Sequence, residues 1–370
     1  MKKQFKHFTG MANRKKRVAI VGIQGVPAHY GGFETFVDNL IGQESADGIE
    51  YTVFCSKVDL PTRMKEYKGA QLKYLPLHSN GIESVLYDCL SMLCAIRRND
   101  TILILGISGC VFVPIVKMFS HAKILINIDG LEHRRKKWNH FARRYLRFSE
   151  KAAVRFADSV IVDNKGIQDY VAQTYHKSSE LIAYGGDQVL LNVSEDRQRE
   201  VLDKFRLCKG EYAVTVCRIE PENNVDMILD AFVETCGRIV VVGNFQGHIY
   251  SQRLLNQYEK FSNILMLDAV YDKELLYILR HNAAYYVHGH SAGGTNPALV
   301  EAMFFGRPIL AYDVVYNRET TQNKANYFSD KEELIALMER AAHLDGAPLK
   351  DVAYERYQWK NIAEQYEELY

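Results

Sequence analysis

Short apolar runs alternate with amphipathic helical runs along almost the whole chain, and this alternation constrains the fold more than any other feature. Buried strands joined by crossover helices form parallel sheets, so the pattern predicts an α/β protein with doubly wound sheets. The predicted strands are Arg17 to Val21, Glu50 to Phe54, Gln71 to Leu75, Thr101 to Leu105, Lys123 to Ile128, Ser159 to Val162, Glu180 to Ala183, Tyr212 to Cys217, Arg238 to Val242, Ile264 to Leu267, Ala284 to His288 and Ile309 to Tyr312.

The helical runs carry a core-facing stripe: from Phe33 to Ile41, and again from Val225 to Phe232, apolar residues recur three and four positions apart. A chain of 370 residues with 47% hydrophobic residues can build two cores, and the Gly185-Gly186-Asp187 turn is the predicted joint. The predicted divisions are a first domain over 1–185, a second domain over 186–350, and a closing helix over 351–370.

No uninterrupted apolar run approaches the ~20 residues of a membrane-spanning helix, and the basic N-terminus is not followed by an apolar export core. We therefore expect the protein to reside in the cytoplasm. The seven cysteines are scattered without a C-x-x-C pair, which favours buried thiols in a reducing compartment over a zinc or redox site.

Charge divides unevenly along the chain. Residues 1–185 carry 27 Lys and Arg against 17 Asp and Glu, a net charge of +10, and the remaining residues carry 19 against 28, a net charge of −9. A basic first half predicts an anionic partner or surface there.

The basic excess is concentrated between Arg134 and Arg155, where nine Lys and Arg residues accompany one acidic residue, Glu150, and several aromatic residues. Such a helix suits an anionic membrane surface, at ~1 kcal/mol for each basic residue near acidic lipid. Nucleic acid is disfavoured because no nucleic-acid motif accompanies the helix, and a merely solvated face stays open. The residues assigned to the membrane are Arg143, Arg144 and Arg147.

Three loops predict ligand contacts. The first follows the first strand and ends in Gly31-Gly32-Phe33-Glu34 at a helix start, where glycine lets a ligand approach the backbone N–H groups. It lacks the G-x-G-x-x-G spacing of a dinucleotide site, and a tight structural turn remains the alternative.

The second loop, His288 to Pro297, reads HGHSAGGTNP and leads into a helix. Asn296 fits the N-cap and Pro297 the first helical position, so residues 293–296 would direct backbone donors toward an anion. Glu301, one turn further, is predicted to meet a ligand hydroxyl, with a buried structural carboxylate as the alternative.

The third loop, Arg218 to Asn224, directly follows a predicted strand. Ligands of open α/β sheets lie beyond the carboxyl ends of the strands, so Arg218 is placed where its fork of donors would bind a phosphate. A surface ion pair is the alternative. His288 and His290 are interpreted as structural, because no carboxylate or third histidine completes a metal site.

Together these segments resemble glycosyltransferase family 4, and within it the rhamnosyltransferase-type bacterial enzymes of cell-surface polysaccharide synthesis. The resemblance rests on G-x-x-G-x-P with GGFE at 22–34, DGLE at 129–132, the hinge at 184–186, RIEPENN at 218–224 and HGHS-x-GGTNP-x-L-x-EAM at 288–303. It implies a GT-B fold, in which two Rossmann-like doubly wound domains face an interdomain cleft.

The resemblance also implies the chemistry: transfer with retention of configuration, without an essential metal or other cofactor, from a dTDP- or UDP-linked sugar. The most specific expectation is L-rhamnose from a dTDP donor, moved onto a lipid-diphosphate-linked saccharide by a protein peripheral on the inner face of the plasma membrane. A nucleotide-sugar epimerase and a non-catalytic sugar-nucleotide-binding subunit remain the alternatives. The implied donor contacts are Gly31, Gly32, Arg218, Asn223, Gly293, Gly294, Thr295, Asn296 and Glu301, with Glu301 on the ribose.

Two positions depart from the wider family. Its R-x4-K pair here reads Arg218 with Asn223, and its E-x7-E pair reads Gly293 with Glu301, so a phosphate-binding Lys and a sugar-binding Glu are absent. The rhamnosyl-type subgroup resembles this sequence in both losses, which indicates a changed donor. Glu222 is a candidate for part of the sugar-contacting role.

In the first domain the resemblance concerns the acceptor side. Where family 4 commonly has a His near the reacting carbon, this sequence has Asp129, which would accept a hydrogen bond from a substrate hydroxyl. An Asp that caps a turn is the alternative. The catalytic candidates are Asp129, Arg218 and Glu222, and the acceptor-binding candidates are Glu34, Asp129 and Glu132.

Overall fold

The computed structural model describes residues 14–28, 31–43, 48–60, 62–128, 130–134 and 138–370. Within these ranges two sheets of parallel strands lie one after the other along the chain, each covered by crossover helices. The doubly wound α/β prediction is confirmed.

The first sheet has the strand order β3-β4-β2-β1-β5-β6-β7-β8, and only the short β3–β4 pair is antiparallel. Its strands are β1 (Lys16–Val21), β2 (Ile49–Ser56), β3 (Glu66–Tyr67), β4 (Ala70–Leu75), β5 (Thr101–Leu105), β6 (Lys123–Ile128), β7 (Ser159–Val162) and β8 (Glu180–Leu181). Its helices are α1 (Gly32–Leu40), α2 (Glu83–Ala95), α3 (Val113–Phe119), α4 (His140–Phe156) and α5 (Lys165–Tyr175).

The second sheet is parallel throughout, with the order β11-β10-β9-β12-β13-β14. Its strands, in chain order after helix α6 (Glu195–Lys204), are β9 (Ala213–Val216), β10 (Ile239–Val242), β11 (Ile264–Leu267), β12 (Tyr285–His288), β13 (Ile309–Tyr312) and β14 (Asn326–Phe328). The remaining helices are α7 (Val225–Thr235), α8 (Ile249–Tyr258), α9 (Lys273–His281), α10 (Pro297–Met303), α11 (Val315–Thr320), α12 (Lys331–Glu339), α13 (Ala347–Arg356) and α14 (Trp359–Glu368).

The twelve predicted strands are all present within one or two residues of their predicted ends. The structure adds two strands, β3 and β14, that the sequence did not predict. β3 is only two residues long, and β14 begins with the polar Asn326, so neither has the apolar run that identifies a buried strand.

The two faces of the first sheet carry different helices. Helices α2, α3, α4 and α5 bury their inner sides in one core, with residues such as Tyr87, Val116, Leu146 and Val171. Helix α1 covers the opposite face, together with α14 from the end of the chain. The solvent sides of α2, α3 and α4 therefore belong to one outer surface of the domain.

The end of the chain differs from the single closing helix predicted over 351–370. Residues up to Tyr357 pack into the core of the second domain, and a separate helix, α14, begins at Trp359. Trp359, Ile362 and Tyr366 recur on one side of α14 and pack into the first domain's core around Phe36. The chain thus crosses back to its first domain, because α14 presents its apolar stripe there.

The hinge between the domains packs tightly. A Cβ on Gly185 would lie 2.4 Å from the Trp359 ring, and one on Gly186 would lie 2.8 Å from Val300, so neither position has room for a side chain.

No helix in the described part of the chain is long and apolar enough to cross a membrane.

Candidate active site between the two sheets

A cleft of about 490 Å³ lies between the domains, beyond the carboxyl ends of strands from both sheets. Its walls are the loops that follow β1 and β6 in the first domain and β9 to β12 in the second. Ligands of open α/β sheets bind at this position. The predicted site residues that line the cleft are Gly31, Gly32, Glu132, Arg218, Glu222, Asn223, Gly293, Gly294, Thr295, Asn296 and Glu301.

Two predicted residues are not among those lining the cleft. Glu34 lies under the first glycine loop, where its Oε1 accepts a hydrogen bond from the Gln24 N–H at 2.8 Å, and burial raises the pKa of this carboxyl group. Gly31 has a φ of 107°, and a Cβ there would lie 1.9 Å from Glu34 Oε2. Glu34 therefore supports the loop. Asp129 lies outside the described residues.

Arg218 lies just past β9, and 45% of its side chain is exposed. A carboxylate oxygen of Glu220 and one of Glu222 each lie 3.8 Å from a guanidinium nitrogen. A charge-assisted hydrogen bond would be about 2.8 Å long, so these carboxylates do not saturate the guanidinium donors. Arg218 thus presents a cation with donor capacity to the cleft.

Asn223, five residues after Arg218, is buried. Its Nδ2 donates to the Arg218 carbonyl oxygen at 2.7 Å, and its Oδ1 lies 2.7 Å from His290 Nδ1. The N–H and the hydroxyl of Ser291 both donate to the Glu222 carbonyl oxygen at 2.9 Å. The amide of Asn223 therefore joins the two loops after β9 and β12. Its hydrogen bonds fix the backbone around Arg218.

The helix after the second glycine-rich loop begins as predicted. Asn296 is the N-cap, and its Oδ1 accepts a hydrogen bond from the Ala298 N–H at 2.9 Å. The adjacent Thr295 N–H, which was predicted to face an anion, donates instead to Asp163 Oδ2 at 3.1 Å. The Thr295 hydroxyl also donates to the Asp163 carbonyl oxygen, at 2.6 Å. In this structure the Thr295 donors are therefore engaged by the first domain.

Asp163 lies at the carboxyl end of β7 and is fully buried. Gly294 approaches it so closely that a Cβ there would lie 2.2 Å from Asp163 Oδ1. The neighbouring Asn164 caps α5 by accepting from the Gly166 N–H at 2.9 Å, and its Nδ2 lies 3.3 Å from Thr295 Oγ1. These contacts join the two domains at the edge of the cleft.

Glu301 is held by partners on both sides. Its Oε2 accepts from the buried Arg280 at 2.6 Å, and its Oε1 accepts from Gln188 Nε2 at 2.9 Å. Gln188 in turn accepts from the Trp359 indole N–H at 2.5 Å. The orientation of the Glu301 carboxylate is therefore fixed by the second domain, by the hinge and by the start of α14.

On the first-domain wall, Glu132 Oε1 accepts from the Trp138 indole N–H at 2.9 Å, which fixes the carboxylate beside the cleft. The next residue, His133, lies with its Nδ1 2.9 Å from the buried Glu150 Oε2. Burial by itself would raise the pKa of Glu150, but hydrogen bonds from His133, Tyr175 and Tyr170 hold it below its ordinary value. These contacts anchor the loop after β6.

His288 is fully buried beside Tyr286, and burial lowers its pKa well below the ordinary value. Among the residues that the structure describes, no group of three or more His, Cys, Asp or Glu side chains is arranged to hold a metal ion.

The three arginines assigned to a membrane surface differ in exposure. Arg144 and Arg147 are exposed on α4, whereas Arg143 is half-buried.

Sequence reasoning missed Asp163, Gln188 and Arg280, and it treated His290, which lines the cleft, as structural. Asp163 follows a predicted strand, so its position at a strand end was a usable signal. Gln188 and Arg280 have no local motif, because only the folded chain brings them to Glu301.

Two family models match the chain, one for each domain. Residues 15–187 match a model described as a domain of unknown function (DUF1972), and residues 197–356 match the model described as Glycosyl transferases group 1. No curated protein matches the chain.

Several solved structures share the fold at low identity. A sucrose-phosphate synthase from Thermosynechococcus elongatus is 17% identical over 96% of this chain and 98% of its own, with a TM-score of 0.81. HepE of Anabaena in complex with UDP-glucose is 15% identical over 95% and 98%, with a TM-score of 0.74. Starch synthase IV from Arabidopsis thaliana, bound to ADP and acarbose, is 14% identical over 96% and 98%, with a TM-score of 0.70. The predicted GT-B fold is confirmed, and the match over residues 197–356 supports a glycosyltransferase.

Proposed function

We propose that the protein moves a sugar from a nucleotide donor to a saccharide on a lipid diphosphate, with retention of configuration and without a metal ion. The specific donor we propose is dTDP-L-rhamnose, in cell-surface polysaccharide synthesis. One observation supports this most: Arg218 faces the same cleft as the glycine-rich loop and Glu301, beyond the carboxyl ends of strands. HepE, which shares the fold, is described in complex with UDP-glucose, and this favours a nucleotide sugar.

Arg218 would act on the leaving group. In the transfer, the bond between the anomeric carbon and the diphosphate oxygen breaks, and the acceptor hydroxyl forms a new bond to that carbon on the same face. The acceptor proton passes to the departing diphosphate, whose developing negative charge the guanidinium stabilises. A donor of this kind contributes ~3 kcal/mol at the transition state, without the help of a metal ion.

Glu301 would bind the ribose. A carboxylate fixed by Arg280 and Gln188 still has lone pairs available, because two oxygens can accept about four hydrogen bonds. The ribose hydroxyls would donate to it, and the fixed orientation lowers the entropic cost of binding.

The sugar would lie near Gly293, where the wider family has a carboxylate. Gly293 has a φ of 93°, which L side chains rarely adopt, and the side chain nearest to the place of a Cβ there is His290, whose Nε2 would lie 3.6 Å away. A site with one carboxylate fewer than the wider family has suits a sugar with fewer hydroxyls, because an unsatisfied buried hydroxyl is costly. A 6-deoxyhexose such as L-rhamnose has a methyl group in place of one hydroxymethyl group.

The acceptor would approach along the first domain, where Glu132 is held beside the cleft by Trp138. A lipid-linked acceptor would lie at a membrane, and the exposed Arg144 and Arg147 on α4 give this domain basic groups for an anionic surface.

The test is to offer the purified protein a panel of sugar nucleotides together with a lipid-diphosphate-linked N-acetylhexosamine, and to identify products by mass. We expect one added deoxyhexose on the acceptor, and release of one nucleoside diphosphate for each sugar transferred. An epimerised sugar nucleotide with an unchanged acceptor would contradict transfer, and so would donor binding without turnover.

A further inference from the structure

Helices α2, α3 and α4 cover one face of the first sheet, since their inner residues share one core and all three contact the short helical turn at residues 110–112 that leads into α3. We call the solvent side of these three helices, with Ile82 just before α2, the outer face. It is unusually apolar: nine of the fifteen large apolar side chains exposed in the described part of the chain lie on it. They are Ile82, Leu86, Leu93, Ile115, Met118, Phe119, Phe141, Phe148 and Phe156.

Several of these side chains are almost completely exposed: Ile82 by 93%, Phe141 by 86% and Met118 by 76%. Isolated exposed apolar residues need no explanation, but nine of them on the solvent side of three helices that share one core indicate a binding surface. The core beneath does not need them, because each helix already buries its other side.

Basic residues are interleaved with the apolar ones. Along α4 the exposed residues Phe141, Arg144, Phe148, Lys151 and Arg155 are three or four positions apart and so lie on one side of the helix. The only acidic residue of α4, Glu150, is buried on the other side, where His133, Tyr170 and Tyr175 surround it.

The other two helices of the outer face also carry basic residues next to exposed apolar ones. Two further exposed arginines, Arg97 and Arg98, follow α2. On α3, Lys117 lies beside the exposed apolar residues and pairs with Asp158 at 2.6 Å.

We propose that the outer face docks on an anionic lipid bilayer, with its apolar side chains inserted at the acyl boundary and its basic residues on the lipid phosphates. Both contacts follow from the two kinds of side chain on one surface. A symmetric dimer through the same face would bring two basic surfaces together, which like-charge repulsion disfavours. The purpose of this docking rests on the proposed function: it would bring the cleft to a lipid-linked acceptor.

This docking differs from purely electrostatic adsorption in its response to salt. Raising salt from about 0.1 M to about 1 M shortens the Debye length from ~10 Å to ~3 Å and weakens the arginine contacts. Inserted apolar side chains are not screened. Binding to anionic vesicles should therefore fall with salt but not vanish.

The test measures vesicle flotation of the purified full chain, without donor or acceptor, on phosphatidylcholine vesicles with and without phosphatidylglycerol. The apolar variant is Met118→Ser with Phe119→Ser, and its matched control is Ile249→Ser with Val315→Ser, two exposed apolar residues of the second domain. A charge variant replaces Arg144, Arg147 and Lys151 by Gln. Thermal unfolding of each variant verifies that it is folded.

We expect the vesicle partition coefficient of the apolar variant to be lower than that of the parent by roughly tenfold or more at both salt concentrations. The control should bind like the parent, and the charge variant should lose affinity mainly at low salt. Equal binding of the apolar variant and the parent, or complete release of the parent at high salt, would overturn the proposal. So would a dimer that forms without vesicles and dissociates in the apolar variant. Because no substrate is present, failure here is distinct from failure of sugar transfer, which a water-soluble acceptor tests.

Discussion

The backbone N–H of Thr295 donates to the carboxylate of Asp163 across the domain boundary, at 3.1 Å. The two residues are 132 positions apart in the chain, and both are buried. Their contact brings the glycine-rich loop of the second domain onto the end of β7 in the first. The shape of the cleft therefore depends on a polar contact between domains as well as on the hinge.

Replacing Asp163 by Ala should destabilise the protein. The change leaves the buried Thr295 N–H without this acceptor, and an unsatisfied buried donor costs about 2 kcal/mol. Chemical denaturation should show this loss in the free energy of unfolding. Asp169→Ala is the matched control, because Asp169 makes an exposed i,i+4 pair with Lys165 and should change stability little. Equal stability of the two variants would exclude a structural role for the Asp163 contact.

We expect the free energy of unfolding to depend on pH through the buried carboxyl group of Asp88. Burial raises the pKa of this carboxyl group from its ordinary value to about 8, although the Gly109 N–H partly opposes the shift. A raised pKa favours the folded state at low pH, and this stability is lost as pH rises from near 4 to about 8, at about 1.4 kcal/mol per pH unit.

Comparison with Asp88→Asn isolates this group from the other titrating residues. Between pH 5 and pH 8 the unfolding free energy of the parent should fall relative to that of the variant. Parallel curves for the two proteins would show that Asp88 titrates normally.

Glu301→Gln should raise the KM for the sugar nucleotide by roughly tenfold, because the amide removes a charge-assisted contact to the ribose. The kcat should change much less, since the ribose is bound equally in the ground state and the transition state. Gln188→Leu should raise the same KM by a smaller factor, through the orientation of Glu301. Steady-state kinetics with Glu200→Gln, an exposed carboxylate, as control would check this, and an unchanged KM in Glu301→Gln would remove the ribose role.

Activity should survive a strong chelator, because the proposed mechanism uses Arg218 for the charge of the leaving group. Transfer is measured after dialysis against chelator, then again with added magnesium or manganese. Loss of activity that either ion restores would contradict a metal-independent reaction.

The sequence predicted the sheets well because parallel strands buried on both faces require runs such as those ending at Val162 and Val242. It also found the loops after β1, β9 and β12, since glycine, proline and an N-cap such as Asn296 have strong local preferences.

What the sequence could not supply were contacts between distant segments. Asp163 with Thr295, and Gln188 with Glu301, follow no spacing rule. The sequence predicted Asn223 as a donor contact but could not predict that its amide joins the loops after β9 and β12, which the structure shows.

The turnover of an Arg218→Ala variant tests the central claim most directly. With the fold intact, kcat for sugar transfer should fall by roughly a hundredfold or more, because the guanidinium acts on charge that develops in the leaving diphosphate. Arg218→Lys should recover part of this, since a point charge replaces the fork of donors. Arg199→Ala, an exposed arginine of α6, should turn over like the parent. A kcat for Arg218→Ala near that of the parent would contradict the assignment of this cleft as the site where the donor diphosphate leaves.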